Sequence, residues 1–162
     1  MKELQKDIFE WIEENKKDNV IFLCHCISSD WALGAGFAKE VQKRFQEKEF
    51  LAHTPGFRSD WQGRGFSLIT SHPTLLEVEC NFYICNLVTK EKYWQKPTYT
   101  TLEQALDSAK RTILAIQNIR GKKVKIVMPK IGCGLDKLRW ENVKEMIVQW
   151  AGFDLNVTVC FL

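Results

Sequence analysis

Lys125-Ile126-Val127-Met128-Pro129-Lys130-Ile131-Gly132-Cys133-Gly134-Leu135-Asp136 sets a short apolar run against two glycines and a carboxylate, and its reading decides the fold. The apolar half suits an interior parallel strand, and the segment from Trp140 to Trp150 reads as a helix. Glycines at a strand-to-helix turn let the backbone approach a ligand closely and aim successive N–H groups at an anion. Asp136 adds a charge that can touch a substrate hydroxyl or act as a base. The plainer alternative is a tight turn whose aspartate caps the next helix.

The same strand-then-helix order extends outward on both sides. Asp18 to Cys26 holds an unbroken apolar run, the mark of a strand covered on both faces. Ile8, Phe9, Trp11 and Ile12 before it suggest a short amphipathic helix, and Ser28 to Gly36 after it a loop. Phe37, Val41 and Phe45 recur at four-residue spacing, so residues 36–47 are expected to be a helix starting at the glycines. Leu51 to Gly65 lacks periodicity and is expected to be irregular. Phe66–Thr70 and Phe82–Val88 read as strands. Thr100-Thr101-Leu102-Glu103 has the form of a capping box opening a helix. The stripe Leu102, Ala105, Leu106, Ala109, Ile113 and Ile116 gives that helix a core face. A strand at 123–129, a helix at 140–150 and a strand at 155–161 complete the chain. Buried strands alternating with helices predict one layered α/β domain over residues 1–162, with a mixed sheet.

Composition narrows the class. A net charge of +3 over 162 residues is too small to argue for nucleic acid on its own, and its one basic cluster, Arg120 to Lys125, reads as a solvated connection. Of the six cysteines, Cys24, Cys26, Cys80, Cys85 and Cys160 sit in or beside apolar runs, where a reduced thiol packs as a small hydrophobe. The charged N-terminus lacks the apolar core of a secretory signal, and no window has the length of a membrane span. A reducing, cytoplasmic setting without membrane contact is the expectation.

Ligands of α/β sheets gather beyond the carboxyl ends of the strands. Three loops there have unusual content: Ser28 to Gly36, Thr89 to Tyr99, and Ile131 to Asp136. Gly34-Ala35-Gly36 opens a helix, a ready anion site, but Lys39 stands where a dinucleotide fingerprint needs glycine or alanine. A diphosphate held by two glycine loops fits better. The second loop carries Lys90, Lys92 and Lys96 with Tyr93 and Trp94; it is either a solvated basic loop or the source of an amine nucleophile. Cys24-His25-Cys26 lacks a second ligand pair at metal spacing, so no metal is expected. Cys133 has no assignable partner among His25, His53 and His72, which leaves it as backbone lining.

Cys24 to Asp30, Gly34 to Gly36, Leu87 to Lys90, Lys96 to Tyr99, and Pro129 through Asp136 to Val143 occur together and in order. In this the chain resembles the macrodomain family, in the branch of the terminal ADP-ribose glycohydrolase, also called O-acetyl-ADP-ribose deacetylase. The resemblance implies a three-layer α/β/α macrodomain with a largely parallel sheet, which binds ADP-ribose without a metal or cofactor. It places Asp7, with Ile8 beside it, at the adenine amino group and Gly34, Ala35 and Gly36 on the diphosphate. Ile131, Gly132, Cys133, Gly134 and Leu135 wrap the diphosphate and distal ribose, and Ser28 lies near that ribose.

Lys90 matches the branch's catalytic lysine, which attacks the anomeric carbon of the distal ribose, and Asp136 the aspartate that resolves the adduct. The implied activity is removal of ADP-ribose from glutamate-type or O-acetyl esters by a monomer acting on ADP-ribosylated protein. ADP-ribosylated nucleic acid is a further substrate class that the weakly basic chain leaves open. The rival readings are a binding module without turnover and an ADP-ribose 1''-phosphate phosphatase. This chain departs from the branch at Glu91, where a second lysine is common, and lacks the asparagine-rich segment of other branches after its first buried strand. Tyr93 and Trp94 add bulk beside the site.

Overall fold

The structure is a computed structural model that describes residues 1–53, 61–72 and 81–162. In chain order the described elements are β1 (Lys2–Gln5), α1 (Ile8–Asn15), β2 (Ile21–Ser28), α2 (Gly36–Phe45), α3 (Glu47–Leu51) and β3 (Phe66–Ser71). They continue with β4 (Phe82–Lys90), α4 (Tyr99–Arg120), β5 (Lys125–Met128), α5 (Trp140–Ala151) and β6 (Asn156–Phe161). The strands form one six-stranded sheet in the order β1-β6-β5-β2-β4-β3. Every pairing is parallel except that of β3 with β4. The mixed, largely parallel sheet with helices on both faces is the architecture the sequence implied.

Alternation along the inner strands divides the core. Phe22 and Cys24 of β2 join Cys85, Leu87, Ile126 and Met128 under the apolar stripes of α4 and α5. Ile21 and Leu23 turn the other way, to Ile8, Phe9, Trp11 and Ile12 of α1 and Val41 of α2. Strands buried on both faces must be apolar at every position, which is why β2 and β4 read as runs rather than alternations. Two sheet faces, two helical layers and one small third cluster around Leu33 and Leu51 fill the interior.

Several boundaries differ from expectation. β1 is an edge strand of mostly exposed residues, paired with β6 from Lys2↔Thr158 to Gln5↔Phe161. Backbone pairing alone creates it, so no apolar pattern marks it. The helix expected over 36–47 ends at Phe45 because Gln46 is left-handed, with φ 53°. A separate short helix, α3, follows. The capping box begins two residues earlier than expected: Thr98 is the cap of α4, and Thr101 reciprocates from the third helical position. β4 runs on through Thr89 and Lys90, so the loop expected from Thr89 starts at Glu91. Part of the stretch from Leu51 to Gly65, and Cys80, lie outside the described residues. The other five cysteines are free thiols.

The approach of β3 to α4 is unusually close. A Cβ on Gly65 would stand 1.8 Å from the Thr101 carbonyl oxygen, and the Gly65 N–H donates to Gln104 Oε1 at 2.9 Å. Backbone faces backbone here, so nothing flexible can yield. Gly65→Ala is expected to cost about 2 kcal/mol or more of unfolding free energy. The readout is a lower urea midpoint at unchanged slope; an unshifted midpoint would contradict this packing.

Candidate functional site

A cavity of about 870 Å³ opens at the carboxyl ends of β2, β4 and β5. Its walls come from three connections: residues 32–38 leading into α2, the start of the β4–α4 loop, and residues 129–136 after β5. Sheet topology produces this convergence, because β2 lies between β5 and β4 and all three point the same way. Ser28, Gly34, Ala35, Gly36, Lys90, Ile131, Gly132, Cys133, Gly134, Leu135 and Asp136 all line it.

At one side of the cavity the Lys90 ammonium donates to Asp136 Oδ1 at 2.6 Å. The two side chains are only 14% and 15% exposed. Asp136 is therefore not the helix cap that its sequence position also allowed; Arg139 precedes α5 without a side-chain cap. Lys96 also lines the cavity and donates to the Leu135 carbonyl at 2.6 Å, tying the β4–α4 loop to the loop after β5.

Much of the remaining lining is backbone. Ala35 stands at the cap position of α2 in extended conformation and has no side chain with which to satisfy the first-turn N–H groups. No acid occupies that turn, so the positive end of the helix faces the cavity unneutralised. Gly36 has φ 57°, and a Cβ on it would lie 3.2 Å from Leu135 Cδ1, so the two glycine loops meet here. Gly132, at φ 71°, faces Leu138 Cδ1 at 2.9 Å from where a Cβ would be. Cys133 is half-buried, its thiol donates to the Ile131 carbonyl at 3.3 Å, and burial first of all pushes its pKa up to about 11. That makes it a poor nucleophile and agrees with a lining role.

Asp7 and Ile8 are not among the lining residues. Asp7 caps α1, its Oδ1 accepting from the N–H groups of Phe9 at 2.9 Å and Glu10 at 3.0 Å. Ile8 is buried in the core beneath α1. The connection to the cavity runs through Phe9, which stacks on the lining residue Phe37 with ring centroids 5.7 Å apart. Glu91 is exposed and does not line the cavity, whereas Tyr93 does.

Two features escaped the sequence reading. Asp30 receives hydrogen bonds from Ser28 Oγ, from the Ala32 N–H and from the Tyr93 N–H. Beneath the cavity a polar chain crosses the core. Asn86 Nδ2 donates to Glu47 Oε2 at 3.1 Å, which turns the amide oxygen toward His25 Nε2 at 2.8 Å. His25 Nε2 therefore carries the proton. Glu47 Oε1 meets His72 and accepts from Thr70. The one signal in the sequence is an asparagine inside the apolar run Phe82 to Val88, since a buried amide needs partners. Among the described residues no group of three or more His, Cys, Asp or Glu side chains is placed to hold a metal. Nor is any described helix long and apolar enough to cross a membrane.

No family model matches the chain. It is 33% identical over 138 residues to the human ADP-ribose glycohydrolase OARD1, an overlap covering 85% of this chain and 79% of that protein. Among solved structures, the macrodomain of Mycobacterium tuberculosis DarG superposes with a TM-score of 0.71 at 16% identity, covering 98% of this chain and 95% of that one. Thermosipho africanus DarTG, solved in complex with ADP-ribose, gives 0.70 at 17% identity, covering 98% of this chain and 40% of that one. These two structural likenesses concern the fold.

The buried polar chain sets a proton linkage. Burial lowers the His25 pKa from 6.5 to about 4, so the unfolded chain binds that proton at a higher pH than the native one. Stability from this group is therefore full at neutral pH and declines as pH falls from about 7 toward 4, by on the order of 3 kcal/mol in all. His25→Gln keeps an N–H for Asn86 and removes the titration. Its unfolding free energy should fall less steeply between pH 7 and 5 than that of the wild type. Parallel pH curves would contradict the assignment.

Proposed function

The chain belongs to the macrodomain family, with the ADP-ribose glycohydrolase OARD1 among its relatives, and on that premise we propose that it binds ADP-ribose and frees it from ester-linked adducts. The observation that carries this reading is the amine–carboxylate pair of Lys90 and Asp136 beside two touching glycine loops in one cavity. An anionic diphosphate fits the uncapped start of α2 and the backbone of residues 132–134. With the diphosphate there, the distal ribose falls between Ser28, Lys90 and Asp136, and the adenine extends past Phe37 toward Asp7. The Asp7 oxygen that the α1 cap leaves over is the acceptor for the adenine amino group.

The chemistry follows from the pair. Asp136 takes the Lys90 proton and passes it to solvent, leaving a free amine. The amine lone pair attacks the anomeric carbon, the bond from that carbon to the ester oxygen breaks, and the electron pair departs with the carboxylate. Water then replaces the lysine on the sugar carbon, giving a proton to Asp136, which returns it to the released amine. Atoms balance as ester plus water yielding sugar hydroxyl, carboxylate and one proton. The glycine loops contribute by holding the diphosphate, and so the sugar, in register with the amine. Glu91 is exposed to water, where its charge is screened from the pair.

The test uses a peptide bearing a glutamyl ADP-ribose ester, with ADP-ribose acetylated on its anomeric oxygen beside it. Lys90→Ala and Asp136→Ala should each lower turnover by about a hundredfold or more, while ADP-ribose affinity measured by calorimetry persists. Turnover equal to wild type in both variants would refute the assigned roles. Tight ADP-ribose binding with no turnover of either ester by the wild type would make the chain a binding module instead. Phosphate release from ADP-ribose 1''-phosphate alone would make it a phosphatase.

A further inference from the structure

We propose that Asp30 is a positioning residue for the distal ribose, acting through Ser28; this rests on the placement of that ribose proposed above. β2 and β4 part where Ser28 pairs with Lys90, after a register shift between Ile27 and Ser28. Beyond that point one backbone bond and then side chains continue the connection between the two segments. The Ser29 N–H donates to the Lys90 carbonyl at 3.0 Å, Ser29 Oγ to the Glu91 carbonyl at 2.9 Å, and the Tyr93 N–H to Asp30 Oδ2 at 3.0 Å. Asp30 Oδ1 takes the Ser28 hydroxyl at 2.5 Å and the Ala32 N–H at 3.3 Å.

A serine hydroxyl has one hydrogen, and here it is committed to a carboxylate. Ser28 therefore offers the cavity only lone pairs. It accepts from a ligand hydroxyl and repels carbonyl and phosphate oxygens, a preference that suits a sugar and opposes a bare phosphate terminus. Asp30 remains an anion to hold this arrangement. Burial alone would raise its pKa, but hydrogen bonds from Ser28 and from the Tyr93 and Ala32 N–H groups, with Lys92 nearby, lower it on balance. Its neighbour Trp31 and nearby Leu33 have φ of 63° and 44°, conformations that bulky residues keep only where surrounding contacts over-determine them. Asp30 is thus the knot between the serine at the end of β2 and the loop that carries Tyr93.

The experiment compares ADP-ribose with ADP, which lacks the distal sugar, by calorimetry on wild type, Asp30→Asn, Ser28→Ala and the double variant. Wild type should prefer ADP-ribose. Asp30→Asn should lose about fivefold in affinity for ADP-ribose and keep its affinity for ADP. Ser28→Ala should lose a similar factor, and the double variant no more than either single one. With the acetyl ester, the Asp30→Asn penalty should fall on KM rather than kcat. Equal losses for ADP and ADP-ribose, or additive losses in the double variant, would overturn the proposal. Should Asp30→Asn fail to fold, Ser28→Ala decides alone, and unchanged discrimination between the two ligands rejects it. Wild type that binds ADP as tightly as ADP-ribose would instead remove the distal-ribose reading itself, and this inference with it.

Discussion

The ion pair between Lys90 and Asp136 is the constraint on which the site depends. It joins the last residue of β4 to the loop after β5, two strands separated by β2 in the sheet. Both side chains are largely withdrawn from water, so neither charge is well solvated without the other. The fold therefore brings amine and acid together at rest, and the proposed mechanism would use that same proximity for proton transfer. Removing one partner strands the other, which is why a lost charge here differs from a lost charge on the surface.

Around that pair the site is built mainly from backbone and from short straps. The uncapped first turn of α2 and the loop after β5 touch through Gly36 and Leu135. The β4–α4 loop is fastened on both flanks, by Asp30 to the β2 side and by Lys96 to the Leu135 carbonyl. A loop held at both edges presents Tyr93 at the cavity without relying on core packing of its ring, which is 65% exposed. Beneath the floor, His25 Nε2, Asn86 and Glu47 are joined along one line of hydrogen bonds, which offsets much of the cost of burying them. These layers explain how a rigid sheet supports a site made of strand ends and the connections that leave them.

Much of this was legible in the residues because the inner strands are buried on both faces. Their apolar runs announced β2, β4 and β5, and the glycine loops following β2 and β5 announced the cavity. Asp136 stood out locally behind the second glycine loop, whereas Lys90 was singled out only by the order of motifs, and the structure brings the two into contact. What escaped shares one physical cause: it is carried by pairing, not by pattern. β1 is polar and exists through hydrogen bonds to β6. The break between α2 and α3 rests on one left-handed glutamine. The capping box shifted because Thr98 and Thr100 are equally good cap residues, and only the geometry of Thr101 decides between them. Asp30 and Glu47 find their partners 63 and 39 residues away in sequence, beyond any spacing rule.

A crystal structure of the chain with ADP-ribose bound tests the central claim most directly. The account requires the diphosphate to lie between residues 34–36 and 132–134, with the anomeric carbon of the distal ribose at about 3.5 Å from Lys90 Nζ. A ligand seated outside this cavity, or reversed so that adenine lies against Lys90 and Asp136, would contradict it.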